Sequence, residues 1–184
     1  MSIPRKRILD ALWPAGLPNR MEVWTILDGA RDQRIYGEVD GSYLEKCCLY
    51  AGDLPWQLQM AAPYLVQLKG DDRLTRTLID QGWGRAWGIF FRSEAGLKTL
   101  RRHFRGFLRV RDRKGNRLIF RYYDPRVLRA YLPTCTADEL RTVFGPVEHY
   151  LVESEDGGEI VRYGFDGARI EETRISLEAA VSQP

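Results

Sequence analysis

Apolar positions along this chain come in short bursts whose period changes from one stretch to the next. Glu22 to Leu27 (EVWTIL) reads as a strand, turned by Asp28-Gly29-Ala30. Cys47–Tyr50, Tyr64–Leu68 and Trp87–Arg92 read as further strands. Between them the period lengthens. Residues 3–13 predict a short helix ending before Pro14, and 14–20 a linker. Residues 31–43 place Ile35, Tyr36 and Val39 on one side of a helix, and 56–61 form a brief one closed by Pro63. Asp71 or Asp72 caps a helix carrying Leu74, Leu78 and Ile79. Ser93 is expected to cap a helix running through Arg105. Leu97, Leu100, Phe104 and Phe107 line one face of it, with Lys98, Arg101, Arg102 and Arg105 on the rest.

Later the pattern turns to hairpins. Residues 107–111 and 117–123 are predicted strands joined by DRKGN, and 147–152 and 159–165 are joined by SEDGG. Thr136 to Glu139 (TADE) is a capping box ahead of Leu140, Val143 and Phe144. Strands alternating with helices early and hairpins late predict a mixed α+β fold in a single domain. A central mixed sheet with flanking helices and C-terminal hairpins is expected. Residues 1–21 form an N-terminal segment with a short helix, 22–165 the domain proper, and 166–184 a polar tail expected to be partly disordered.

One junction concentrates chemistry. Residues 118–134, LIFRYYDPRVLRAYLPT, begin as a strand, break at Asp124-Pro125 and restart as a short amphipathic helix. Arg121, Asp124, Arg126 and Arg129 crowd the break with Tyr122, Tyr123 and Tyr131. Proline suits the first helical turn, where its missing N–H costs nothing. So much charge at one junction implies either an internal ion-pair hub or a docking site for another polypeptide. On the strands around it, Arg109 and Arg111 alternate with Leu108 and Val110, so like charges meet across the hairpin unless carboxylates or a ligand intervene.

Composition narrows the function classes. At 184 residues the chain can bury a sufficient core without disulfides or metal. No apolar run is long enough to span a membrane, and the N-terminus lacks a convincing leader, so a cytoplasmic protein is expected. Three cysteines, two of them adjacent, and two histidines make neither a disulfide framework nor a metal site, and no cofactor is expected. The net charge is only +3, but Lys98 to Arg129 is strongly basic and the stretch from Glu153 onward acidic, an asymmetry that suggests an electrostatic partner. That basic stretch makes a nucleic-acid-binding module the alternative reading, against which stand the modest net charge and the absence of RNP-like or GxxG signatures.

Catalytic motifs fare worse. Gly82 and Gly84 imitate the start of a dinucleotide fingerprint, but Trp87 occupies its last position and the run enters a strand rather than a helix. Trp83 and Trp87 are expected to pack back on the sheet. No GxSxG elbow exists, His103 and His149 sit in separate elements, and arginines around Asp124 hold it ionised rather than poised for proton transfer. The chain is therefore expected not to be an enzyme.

Six runs carry a family likeness: WTILDGA (24–30), APYLVQL (62–68), GWGRAWGIFFRS (82–93), LRRHFRGFLRV (100–110), LIFRYYDPRVLRAYLPT (118–134) and FGPVEHYLVE (144–153). In this order they resemble the domain-of-unknown-function 4123 family, over roughly residues 22–155. The resemblance implies an adaptor, or chaperone, of the bacterial type VI secretion system, without catalytic activity. Such a protein binds a toxic effector as cargo in the cytoplasm. It helps load it onto the spike, the valine-glycine-repeat protein (VgrG), often with a PAAR-type tip. Within the matched motifs the expected partner-binding residues are Arg121, Asp124, Arg126 and Arg129, supported by Trp87 and Arg92. Asp124 is expected to orient one arginine and cap the following helix. The loop 14–20 and the acidic C-terminal hairpin and tail are the alternative cargo surfaces.

Overall fold

The computed structural model describes residues 5–111 and 114–178. Helices α1 (Arg5–Leu12), α2 (Gln33–Asp40), α3 (Trp56–Met60), α4 (Arg73–Thr77), α5 (Leu97–Gly106), α6 (Pro125–Tyr131) and α7 (Ala137–Phe144) accompany nine strands. The strands are β1 (Glu22–Asp28), β2 (Lys46–Cys48), β3 (Pro63–Leu68), β4 (Gly88–Ser93), β5 (Arg109–Arg111), β6 (Arg117–Ile119), β7 (His149–Glu153), β8 (Glu159–Phe165) and β9 (Ile170–Ser176). Seven of them form one sheet in the order β2-β3-β1-β4-β7-β8-β9, while β5 and β6 make a separate ribbon.

The α+β single-domain reading holds, with one change in the sheet. Every strand pair is antiparallel, so the sheet is not mixed. A mixed sheet would need at least one parallel crossover. Instead β1 pairs antiparallel with both β3 and β4.

Helices cover both faces. Because side chains alternate along a strand, Trp24 and Ile26 enter one core with α5, α6 and α7. Val23 and Leu27 enter the other with α1, α2 and α4. This double burial explains why β1 reads as a nearly continuous apolar run, broken only by Thr25, whose buried hydroxyl donates to the Ile89 carbonyl at 2.8 Å. On the first face, Trp24, Phe91, Tyr150 and Tyr163 are register neighbours across four adjacent strands. Cross-strand aromatic pairs of this kind fix register as well as bury area. The Tyr150 hydroxyl donates to the Val143 carbonyl at 2.7 Å and so ties α7 to the sheet.

Three local expectations change. The N-cap of α5 is Gly96, not Ser93, whose hydroxyl donates to the Pro146 carbonyl at 2.6 Å. Strand β6 stops at Ile119, and the chain turns so that Tyr122 and Tyr123 are both buried. The expected tail is largely structured: β9 pairs with β8 along its full length and Leu177 is buried. Its residues, IEETRIS, form an exposed edge strand, whose central run of polar residues hid it from a hydrophobicity-based reading. Residues 179–184 of that tail lie outside the described residues.

Candidate functional site

Strand β1 ends at Asp28, whose side chain is almost fully buried. Its Oδ1 accepts from the Ala30 N–H at 3.2 Å, and its Oδ2 accepts from the Arg121 guanidinium. The Asp28 N–H donates to the Trp87 carbonyl at 2.8 Å, joining β1 to the start of β4. Asp28 had been read as a turn residue. It is also the counter-ion of Arg121. The surplus of arginine over nearby carboxylate at the Asp-Pro junction was the one signal that a distant acid was needed.

Asp124 caps α6 as expected. Its Oδ1 accepts from the Arg126 backbone N–H and Nε, each at 3.0 Å, and Oδ2 accepts from Nη2 at 2.6 Å. Burial pushes this carboxyl's pKa up, but the bonds from Arg126 outweigh it and the net displacement is downward. One carboxylate therefore both closes the helix end and holds a guanidinium in a two-pronged grip. The Arg126 side chain is still half exposed, as is that of Arg121.

Arg129, one turn further along α6, donates to the backbone carbonyl of Glu153 at the end of β7. The carboxylate of Glu153 turns the other way. It accepts from the Gly84 and Ala86 N–H groups, each at 2.7 Å. The glycine-rich loop was read as no phosphate cradle. Two of its N–H groups do converge, with Gly84 at φ 77° and Ala86 at φ 56°, and what they hold is the protein's own glutamate. Burial raises the Glu153 pKa, opposed by those two hydrogen bonds. A dinucleotide-binding reading therefore has no open nest here.

Trp87 is buried, with the Arg34 guanidinium 4.9 Å from its ring centroid. A side chain on Gly82 would come within 2.8 Å of that ring, so this glycine is what lets Trp87 fold back. Arg34 is held in turn by Asp32, at 3.0 and 2.7 Å, and Arg34 lowers the Asp32 pKa to about 2. The Trp83 indole donates to the Gly157 carbonyl at 2.9 Å. Both tryptophans pack as expected.

Arg92 lies elsewhere. It is buried four residues along β4 from Gly88, about 13 Å away by strand rise. It donates to the Leu12 carbonyl at 3.1 Å and to that of Ala11, so it closes the C-terminal end of α1. The structure thus gathers Trp87, Arg121, Asp124, Arg126 and Arg129 at one end of the sheet and leaves Arg92 out. Each gathered polar side chain has an intramolecular partner. Besides Asp28 the site gains Glu153, which came from the FGPVEHYLVE run, where it had been read only as part of the acidic end of the chain.

Reactive chemistry is scarce. Burial lowers the His103 pKa, and its Nε2 lies 3.0 Å from the Val143 carbonyl. Burial pushes the Cys47 thiol up to about 11, the opposite of an activated nucleophile. Among the described residues no group of three or more His, Cys, Asp or Glu could hold a metal ion, and no helix is long and apolar enough to cross a membrane.

No curated protein and no solved structure matches the chain. One family model does, over residues 23–142, from the second residue of β1 into α7. The match takes in Asp28, the 82–88 loop and the whole Asp124-Pro125 junction, though not Glu153. It spans well over half of the sequence, and the chain belongs to the family described as Domain of unknown function (DUF4123).

Proposed function

We propose that this chain is a non-catalytic, cytoplasmic adaptor of a type VI secretion system. It binds an effector and promotes its loading onto the VgrG spike or its PAAR-type tip. The observation that carries the reading is family membership across β1–α7, since the family is generally linked to effector adaptors of that system. The chemistry of the junction agrees with it. Asp28, Asp124 and Glu153 each accept hydrogen bonds from internal donors, as the carboxylates of a structural hub do. In this reading Arg121 and Arg126, held from behind by buried acids, present their exposed halves to a partner. Pre-oriented arginines of this kind are frequent binding hot spots.

The decisive experiment is co-expression with the neighbouring effector and spike genes, followed by affinity purification and size exclusion in about 0.5 M salt, which screens exposed charges. A stoichiometric complex is expected. A lone adaptor peak with both partners present in the lysate would overturn the reading.

A nucleic-acid-binding module is the second reading, favoured by exposed Lys98, Arg101 and Arg102 along α5. The large aromatics that are exposed among the described residues, Tyr43 and Trp56, belong to the segments around α2 and α3 and not to α5 itself. The helix that carries the charge therefore supplies no exposed stacking ring of its own. Negligible retention on a mixed oligonucleotide resin at low salt is expected.

A further inference from the structure

The β5–β6 ribbon is built unlike the rest of the surface. Its register pairs Arg109 with Ile119, Val110 with Leu118 and Arg111 with Arg117. With side chains alternating, Leu108, Val110, Leu118 and Phe120 share one face, and Arg109, Arg111 and Ile119 share the other. The apolar face leaves the core at buried Leu108 and ends in the open. Val110 is 37% exposed, Leu118 49%, and Ile119 on the opposite face 45%. This face overhangs a groove of about 260 Å³ between the ribbon and the α6–α7 side, lined by Phe107, Val110, Phe120, Tyr131 and Val143. Asp138 and Glu139 on its rim are already engaged, by Arg141 and by the capping box.

Neither outer edge of the ribbon has a strand partner among the described residues. Two strands alone are marginally stable in water, and a third with a matching face changes that. Charged residues on an edge are often guards against pairing. Guarding alone leaves unexplained why Val110, Leu118 and Ile119 stay exposed beside them.

We propose that a free edge of this ribbon accepts an extended segment of a partner protein as a third strand, in which apolar residues alternate with Asp or Glu. Main-chain bonds to the edge supply affinity, and alternate side chains supply specificity. The partner's apolar positions extend the Val110–Leu118 face over the groove, and its carboxylates meet Arg109 and Arg111. Exposed Lys98, Arg101 and Arg102, for which the described residues show no ion pair, reinforce the positive field on the preceding helix. This deepens the adaptor reading by giving the partner segment a chemistry and a place, and it rests on that reading for the partner's source.

The test needs no secretion component. A labelled peptide of roughly six residues alternating Val and Glu is titrated into the full chain by fluorescence anisotropy. Controls are the same composition in two blocks, an alternating Val–Lys peptide, and a single-stranded oligonucleotide. The alternating acidic peptide is expected to bind at least about tenfold more tightly than either peptide control. L118E is expected to abolish that preference, and the double variant R109E/R111E to transfer it to the Val–Lys peptide. Leu118 is exposed, so neither variant disturbs the core, and circular dichroism checks this. Equal binding of the blocked peptide, indifference to L118E, absence of binding, or an oligonucleotide that outcompetes the peptide each overturns the proposal. A partner complex that forms in co-expression while these peptide results are negative would leave the adaptor reading standing and remove only this surface.

Discussion

At the scale of single residues, the Asp-Pro junction separates groups that hold the fold from groups that face outward. Asp124 has both tasks, since it caps α6 and grips Arg126. Losing the cap costs about 1–2 kcal/mol, so Asp124→Ala is expected to lower the urea midpoint measurably. Arg126→Ala removes only the half-exposed end of the pair, worth less than about 1 kcal/mol. It is expected to weaken partner capture in a pull-down while stability stays near wild type. A sharp drop in stability with normal capture would make the junction purely structural. Glu153 supplies a second test, with a defined sign. Its pKa is raised above the ordinary 4.5 in the folded protein. The stability it allows is therefore complete below about pH 4.5 and lost as pH rises through the folded value, because in that window the native state holds the extra proton. The slope of unfolding free energy against pH, from urea titrations upward from pH 4.5, is expected to be more negative in wild type than in Glu153→Gln. Identical slopes would show that the loop N–H groups cancel the burial. The Asp124–Arg126 half of this cluster was legible in the sequence because cap, proline and arginine are neighbours. The Asp28–Arg121 and Glu153–loop halves were not, because each joins residues more than sixty positions apart that only the sheet brings together.

At the scale of elements, the most consequential feature is β9. It covers the edge of β8, helps bury Leu177, and receives α1 through the Arg7 guanidinium on the Ser176 carbonyl. A chain ending at Phe165 would expose β8 as a bare edge and lose the burial of Leu177, Ile175 and Ile170. That amounts to at least about 3 kcal/mol, with a new site for edge-to-edge association. Such a chain is expected to melt well below the full-length protein and to aggregate on light scattering. An unchanged melting temperature would mean that β9 merely rests on the sheet. Strands β1, β3 and β4 were legible because burial on both faces leaves few polar positions. β9 touches the cores only near its ends, through Ile170 on one face and Ile175 on the other, and the Glu171, Glu172, Thr173 and Arg174 between them mask the pattern. The opposite error occurred at Phe120–Tyr123. Alternation there extended a strand that in fact turns inward, since the Tyr122 hydroxyl finds the Phe104 carbonyl at 3.0 Å and both tyrosines gain a place in the core. Local pattern lost to tertiary burial at that point.

At the scale of the molecule, charge and apolar surface have different jobs. The buried acids of the junction neutralise their own arginines, so the net charge of +3 is expressed chiefly through cations elsewhere, among them Lys98, Arg101, Arg102, Arg109 and Arg111. Exposed cations act over about 10 Å at 0.1 M salt and speed encounter with an acidic partner. What holds a partner after encounter must come from apolar surface and main-chain bonds, and Val110, Leu118 and Ile119 are the exposed aliphatic residues beside that charge. The two contributions separate kinetically. Raising salt from about 0.05 to 0.5 M is expected to slow association of this protein with a co-purified partner by about tenfold or more, while the dissociation rate changes little. Surface plasmon resonance with the co-purified partner immobilised measures both. If dissociation accelerates in step instead, the affinity itself is ionic. The half-exposed Arg121 and Arg126 would then be the holding contacts, because they are the arginines whose geometry is fixed from behind by buried carboxylates.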